Sequence, residues 1–319
     1  MMGLGGFILR RLGSVVPTLI FVSLIVFALQ KLIPGDPAVA MAGDESNDAV
    51  VEQLRAKYGF DQPLYVQYFR WIGNVLVGDF GSSYRNKVEV VDLILTKLPV
   101  TAELAVLSMI VALAIGIPTG IIAATHKDRF TGTLANIFAL TGISIPHFWL
   151  GIMLILLFSV QLGLLPSAGY VPPWEDLKQN LLSLIMPSIV LGTGVAGVIT
   201  RHTRGAMLQV LSSDYVRTAR AKGVTERIVV SKHALRNALI PVITLSTIEF
   251  GQLLSGAILT EQIFSIPGFG KLIVDAVFYR EYAVVQGVVL VTATIFILLN
   301  FVADILYFIV NPRMRGAND

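Results

Sequence analysis

The residues best placed to act on another molecule lie in one basic stretch. It reads Asp214-Tyr-Val-Arg-Thr-Ala-Arg-Ala-Lys-Gly223, then Val224 to Ser231, then Lys232-His-Ala-Leu-Arg-Asn-Ala-Leu-Ile-Pro241. An Ala-rich helix, a glycine stop, a second helix and a proline beyond it form a helix–turn–helix grammar. Gly223 suits the positive φ that ends the first helix. Such a helix would present Asp214, Tyr215, Arg217, Ala219, Arg220, Lys222, Gly223 and Arg227 to a partner. On these residues alone, a basic loop that merely orients a membrane protein explains the pattern equally well.

Other groups suggest chemistry more weakly. Glu249 sits inside an apolar run, where a carboxylate either bonds a neighbouring helix or touches a polar solute. His147 follows Pro146; it either bonds a carbonyl freed by the proline or lines a pathway. Gly142-Ile-Ser144 superficially resembles the nucleophile motif of an intramembrane serine protease. That chemistry needs a histidine on another helix at membrane depth. His147 shares the helix of Ser144, and His202 and His233 are expected at or beyond the cytoplasmic face of the membrane. The four histidines, 126, 147, 202 and 233, show no ligand spacing, so no metal site is expected. Zero cysteines exclude disulfides, cysteine-ligated zinc or iron–sulfur sites, and thiol catalysis.

The elements that must hold these residues are membrane helices. Of 319 residues, 55% are hydrophobic and 14% charged, and the mean hydropathy is +0.74. Soluble domains carry about 25% charged residues. The apolar residues gather in blocks of roughly 20, the length a helix needs to cross a bilayer. Six spans are expected, at about 9–30, 101–124, 133–161, 181–201, 237–263 and 283–310. The third carries Gly142 and Pro146 and should be bent or broken. The fourth, with Gly192, Gly194 and Gly197, reads as a tightly packed helix. Arg10 and Arg11 precede the apolar run Leu12 to Leu29. The run is too long for most signal peptides and no Ala-x-Ala site follows it, so it reads as an uncleaved first span.

Two loops are large. The one at about 31–100 contains Pro34-Gly-Asp-Pro37, an amphipathic stretch from Asp44 to Phe60, and a second with Tyr65, Tyr68, Phe69 and Trp71. Its aromatics give it something to bury, so it reads as a small helical cap. The other, at about 202–236, is basic and helical in pattern. The shorter stretch Thr260 to Tyr282, with Phe264, Pro267 and Phe269, reads either as a folded re-entrant segment or as a helix packed on the long cap. With the N-terminus in the cytoplasm, 14 of the 24 basic residues lie inside with four acids, and both termini are cytoplasmic. The sequence pI of about 9.1 and net charge of +3 therefore reflect membrane sidedness, not nucleic-acid binding.

The basic stretch resembles the coupling motif of binding-protein-dependent ABC importer permeases, in the dipeptide/oligopeptide/nickel group. The resemblance runs nearly end to end. Leu32-Ile-Pro-Gly-Asp-Pro37, Gly59-Phe-Asp-Gln-Pro-Leu-Tyr-Val-Gln-Tyr68 and Gly78-Asp-Phe-Gly81 are similar to that group, as are Gly142-Ile-Ser-Ile-Pro-His-Phe-Trp149, Leu259-Thr-Glu-Gln-Ile-Phe-Ser-Ile-Pro-Gly-Phe-Gly270 and Asn311-Pro-Arg-Met-Arg315. There is a departure. The general motif begins Glu-Ala-Ala; here Ala219 matches the second Ala, but Thr218 and Arg217 stand at the two positions before it. The spacing from Gly223 to Pro241 is also longer than in the sugar-importer version. An acidic contact to the ATPase is therefore not carried over.

The resemblance implies an all-α polytopic membrane protein of six transmembrane helices. It implies a type I ABC importer permease fold in the bacterial cytoplasmic (inner) membrane, with a helical extracytoplasmic loop after the first helix and a permease core over 101–310. It implies a translocating subunit for di-/oligopeptides or a related small solute such as glutathione or a nickel chelate. Its partners would be a second homologous permease in a heterodimer, two ABC ATPase subunits, an extracytoplasmic solute-binding protein and membrane lipid. Residues 214–231 would dock an ATPase. Residues 31–100 and 260–282, with Phe264, Pro267 and Phe269, would face the binding protein or form an outer gate. Glu249, His147 and Ser144 are pathway candidates. Gly270-Lys271 lacks the earlier Gly and the Ser/Thr of a phosphate loop, so no cofactor is expected in this chain, and ATP and Mg belong to the partner ATPases.

Overall fold

A computed structural model describes residues 4–30, 36–42 and 47–310. Lys31 to Gly35 and Asn311 to Arg315, which carry two of the motifs above, lie outside the described residues. The helices are α1 (Leu4–Gln30), α2 (Pro37–Ala42), α3 (Asp48–Tyr58), α4 (Leu64–Leu76), α5 (Val90–Thr125), α6 (Phe130–Ser144) and α7 (His147–Leu154). They continue as α8 (Leu177–Leu211), α9 (Asp214–Ala221), α10 (Glu226–Ile228), α11 (Leu235–Gly256), α12 (Ile258–Ile263), α13 (Phe269–Phe278) and α14 (Tyr282–Val310). Two π-turns extend this scheme, Ile155–Gln161 after α7 and Val229–Ala234 joining α10 to α11. Among the described residues the only bridge pairs Ser82 with Glu89.

Five helical stretches are long and apolar enough to cross a membrane: Gly5–Gln30, Val90–Thr125, Leu177–Leu211, Glu226–Ser255 and Tyr282–Leu306. The third expected span is instead a pair, Phe130–Ser144 and His147–Gln161, bent by 98°. The break follows from Pro146, which disfavours α geometry at the residue before it. Ile145 accordingly is extended, with φ −73° and ψ 124°.

Several helices outrun the expected spans. The second begins at Val90 rather than about 101, because Val90 and Ile94 are buried and hold the early turns. α8 continues to Leu211 rather than about 201, because Thr203 and Met207 are fully buried. The fifth starts in the basic stretch at Glu226 and stops at Gly256, so α12 is a separate short helix.

The chain forms two compact units. The first comprises Met1–Leu9, Ala102–Ile266 and Leu298–Asp319, and α8 is its axis. A Cβ at Gly192 would lie 2.7 Å from the Ser108 carbonyl oxygen of α5. One at Gly197 would lie 2.5 Å from the Ala139 carbonyl oxygen of α6, and one at Gly120 of α5 would lie 2.5 Å from Thr203 Cβ. The backbones therefore approach more closely than any larger residue permits. The segment 162–176 is tied down on α5, α8 and the end of α12. Tyr170 donates 2.7 Å to Glu103, Asn180 donates 2.8 Å to the Val171 carbonyl, and Gly169 N–H donates 2.9 Å to the Phe264 carbonyl. Burial, then the bond to Glu103, pushes the Tyr170 hydroxyl pKa up.

The second unit comprises Arg10–Thr101 and Pro267–Ile297. Its core gathers Val90, Ile94, Phe269, Ala276, Val284 and Val288. Thr101 Oγ1 accepts from Phe269 N–H at 2.7 Å and so receives the start of α13. Tyr84 donates to the Tyr279 carbonyl, and the Arg85 guanidinium lies 3.6 Å from the Tyr279 ring centroid. Of the two readings for Thr260 to Tyr282, its α13 part thus packs on the loop before α5. In the long loop, Asp36 caps α2 by accepting from Ala38 N–H at 2.8 Å and pairs with Arg55, whose guanidinium holds the Asp36 carboxyl below its usual range.

The close approach has a measurable consequence. Gly197→Ala and Gly120→Ala should each destabilise the detergent-solubilised protein by ~1–3 kcal/mol, the usual cost of overpacking. Gly13→Ala, whose Cβ would meet nothing within 4 Å, should leave the melting temperature unchanged.

Candidate functional site

The basic stretch folds as a closed turn. α9 is capped at its C-terminus by paired bonds: Gly223 N–H donates 3.0 Å to the Arg220 carbonyl, and Val224 N–H donates 3.2 Å to the Ala219 carbonyl. This is a Schellman arrangement, and it requires the left-handed residue that Gly223 supplies, with φ +77°. Across the turn Arg220 grips Glu226 with both arms, Nε at 3.0 Å and Nη2 at 2.7 Å. The Arg220 guanidinium holds the Glu226 carboxyl below its usual range.

The turn is fastened to the membrane helices beneath it. Val216 is the fully buried residue of α9. The Tyr215 hydroxyl accepts 2.7 Å from Asn237 Nδ2 and donates 3.4 Å to the His233 carbonyl, tying α9 to the start of α11. Ala234 and Ala238 pack with Met207 of α8 and Ala124 of α5. The π-turn Val229–Ala234 makes the joint without breaking the helix.

What α9 leaves outside is charged. Asp214, Arg217, Arg220, Lys222, Gly223 and Arg227 are exposed, and Tyr215 is 45% exposed. Ala219 is half-buried. Arg217 and Asp214 approach to 3.5 Å, but with side chains 78% and 94% exposed the pair contributes little. All eight residues of this stretch singled out in the sequence therefore lie on one turn. Sequence reasoning missed Glu226, Asn237 and Val216 as its fasteners. An acid six residues after an arginine, spanning a glycine turn, was the available signal for Glu226.

The remaining candidates lie apart. Ser144 ends α6, exposed, in an apolar recess with Ile137, Leu140, Phe148 and Trp149. His147 opens α7 with its ring toward α8, where a Cβ on Gly194 would lie 2.5 Å from Nε2. Glu249 is 8% exposed in the middle of α11. Phe264 is 1% exposed in the first unit, close to Gly151, whose Cβ would lie 3.3 Å from its ring. Phe269 is 3% exposed in the core of the second unit, and Pro267 is half-buried. The two phenylalanines are core groups, each within its own unit. Among the described residues no His/Asp/Glu cluster could hold a metal.

Comparison with known proteins decides the family. Residues 116–316 match the model of the binding-protein-dependent transport system inner membrane component, and residues 4–105 match that of its N-terminal region. The chain belongs to the inner membrane components of binding-protein-dependent transport systems. It is a multi-pass permease subunit of an ABC importer. The permease is 43% identical over 308 residues to a putative peptide transport system permease protein of Brucella abortus, covering 97% of this chain and 98% of that one. It is 44% identical over 309 residues to the glutathione transport system permease protein GsiC of Escherichia coli, with the same coverage. Among solved structures, the MetNI methionine ABC transporter in an inward-facing conformation matches with a TM-score of 0.56 at 22% identity, over 69% of this chain and 96% of that one. That likeness shows the type I permease fold.

The Arg220–Glu226 pair predicts a pH signature. A depressed carboxyl pKa stabilises above the unfolded value and loses its contribution as pH falls through the folded one. An Arg220→Ala/Glu226→Ala double-mutant cycle should give a coupling energy of ~0.2–1 kcal/mol at neutral pH. The coupling should vanish once Glu226 is protonated in acid. Gly223→Ala should cost ~1–2 kcal/mol through its φ alone, since the Cβ would meet nothing within 4 Å.

Proposed function

We propose that this permease forms half of a translocation pathway with a second, homologous permease. It would import di-/oligopeptides or a related small solute delivered by an extracytoplasmic binding protein. The supporting observation is the fastened turn. The turn offers exposed Arg217, Lys222 and Arg227, and the bonds of Arg220 to Glu226 and of Asn237 to Tyr215 tie α9 to α10 and α11. A partner that moves α9 would therefore move a membrane helix with it. α9 docks an ABC ATPase subunit, one for each permease, and ATP and Mg are held by those partners; this chain binds no cofactor. Nucleotide-driven closure of the ATPase pair shifts the permease between two access states.

The sidedness follows from charge. His126-Lys-Asp-Arg129 and the turn at 212–225 are both basic, and the bent pair and α8 lie between them in the chain. Both fall on the cytoplasmic side only if the bent pair counts as a crossing. That gives six spans and two cytoplasmic termini. Residues 31–100 and 260–282 then face outward, where Val277, Phe278 and Tyr279 are exposed toward a binding protein. The peptide reading is carried by the relatives' names; selectivity rests largely with the binding protein.

The test is reconstitution with ATPase subunits and binding protein. Arg217→Glu/Lys222→Glu should lower cargo-stimulated ATP hydrolysis and uptake about tenfold, ~1.4 kcal/mol, while membrane insertion is retained. Full transport by this variant would refute the docking assignment. Mass spectrometry of solute co-purified with the complex should find short peptides or glutathione; an unrelated solute would overturn the cargo assignment alone.

A further inference from the structure

α4 has three faces, and among the described residues one packs against no other helix. The first packs on α1: the Tyr68 hydroxyl lies 2.9 Å from Ser23 Oγ, and the rings of Tyr68 and Trp71 stand 5.5 and 6.0 Å from that of Phe27. The second is polar. Gln67, Arg70 and Asn74 line a cavity of about 620 Å³. The third is apolar and bare, with Tyr65 67%, Phe69 68% and Leu76 80% exposed. At 3.6 residues per turn these three fall within about 40° of one another.

Depth decides what covers that stripe. α1 is a membrane-spanning helix whose apolar run ends at Gln30. Ser23 precedes Gln30 by seven residues and Phe27 by three. At 1.5 Å per residue the contacts with α4 lie about 10 and 5 Å short of that end. Those levels belong to the headgroup and acyl boundary, where amphipathic helices bury their apolar faces about 5–10 Å. The composition fits that layer. Tyr and Trp concentrate at membrane interfaces, and Phe and Leu supply the buried face of helices that lie there. Arg70 is the one charged side chain of α4, and it faces the cavity. Leu24, Ile25 and Leu29, on the same end of α1, are exposed and apolar as well.

We propose that α4 lies in the membrane interface at the Gln30 end of α1, with Tyr65, Phe69 and Leu76 in contact with lipid. The long loop is then seated on the bilayer as well as on α1. The chemistry is that of a neutral lipid surface, since the stripe carries no charge to select anionic headgroups.

The natural chain has no cysteine, so single-cysteine variants need no prior substitution. Tyr65→Cys, Phe69→Cys, Leu76→Cys and Asn74→Cys are labelled with a nitroxide in the assembled transporter in lipid nanodiscs. Labels at 65, 69 and 76 should be relaxed more by oxygen than by a water-soluble nickel chelate, and the label at 74 the reverse. Equal access of the chelate to all four would place α4 in water and overturn the proposal. Protection of the three from both reagents would show a protein cover, the second permease or the binding protein, and would also overturn it. Independently of labelling, Phe69→Asp should lower the yield of membrane-inserted complex severalfold while Phe69→Leu retains it. Equal yields of these two would overturn the proposal.

Discussion

The architecture of the first unit depends on how closely helices approach α8. Lipid tails are as apolar as leucine, so burial of apolar surface does not by itself drive one membrane helix against another. What remains is van der Waals contact and hydrogen bonding, and both need short distances. Gly192, Gly197 and Gly120 provide them, for at each a single added methyl would collide with backbone or a β-branched side chain. α8 is accordingly the most buried of the spans. The 98° bend after α6 serves the same end, because it carries the chain back so that α7 also packs on α8, with His147 seated over Gly194.

The turn that follows α9 is built on a different principle. It lies outside the apolar spans, where exposed ion pairs are weak and a short helix is marginal by itself. Its rigidity comes from redundancy. A Schellman cap, a two-armed Arg220–Glu226 pair, the Tyr215–Asn237 bond and the buried Val216 each hold a different edge of the same small turn. A rigid turn transmits displacement, whereas a flexible one would absorb it. The outward face meanwhile keeps Arg217, Lys222 and Arg227 exposed to solvent.

Much of this was legible in the sequence. Apolar run length announced membrane helices because a bilayer imposes a length of about 20 residues. Pro146 announced a break because it restricts the residue before it. Gly223 announced the end of α9 because only a residue tolerant of positive φ closes that turn. The end-to-end motifs, and the basic stretch above all, gave the family. Helix ends were less legible: α5 and α8 run past their apolar cores because Val90 and Met207 find buried partners, and partners are not encoded locally.

The sequence by itself determined the number of hydrophobic runs, the breaks between them and the turn that interrupts the fourth and fifth spans, since each rests on properties of neighbouring residues. Only the tertiary structure decided which groups face inward. Phe264 and Phe269 sit in one short motif and look alike in sequence, yet each is core, and in a different unit. Tyr65 and Tyr68 are three residues apart on one helix, yet one is bare and the other hydrogen-bonded to α1. The physical reason is common to both cases. Burial is a property of what a segment packs against, and those contacts join residues far apart in the chain.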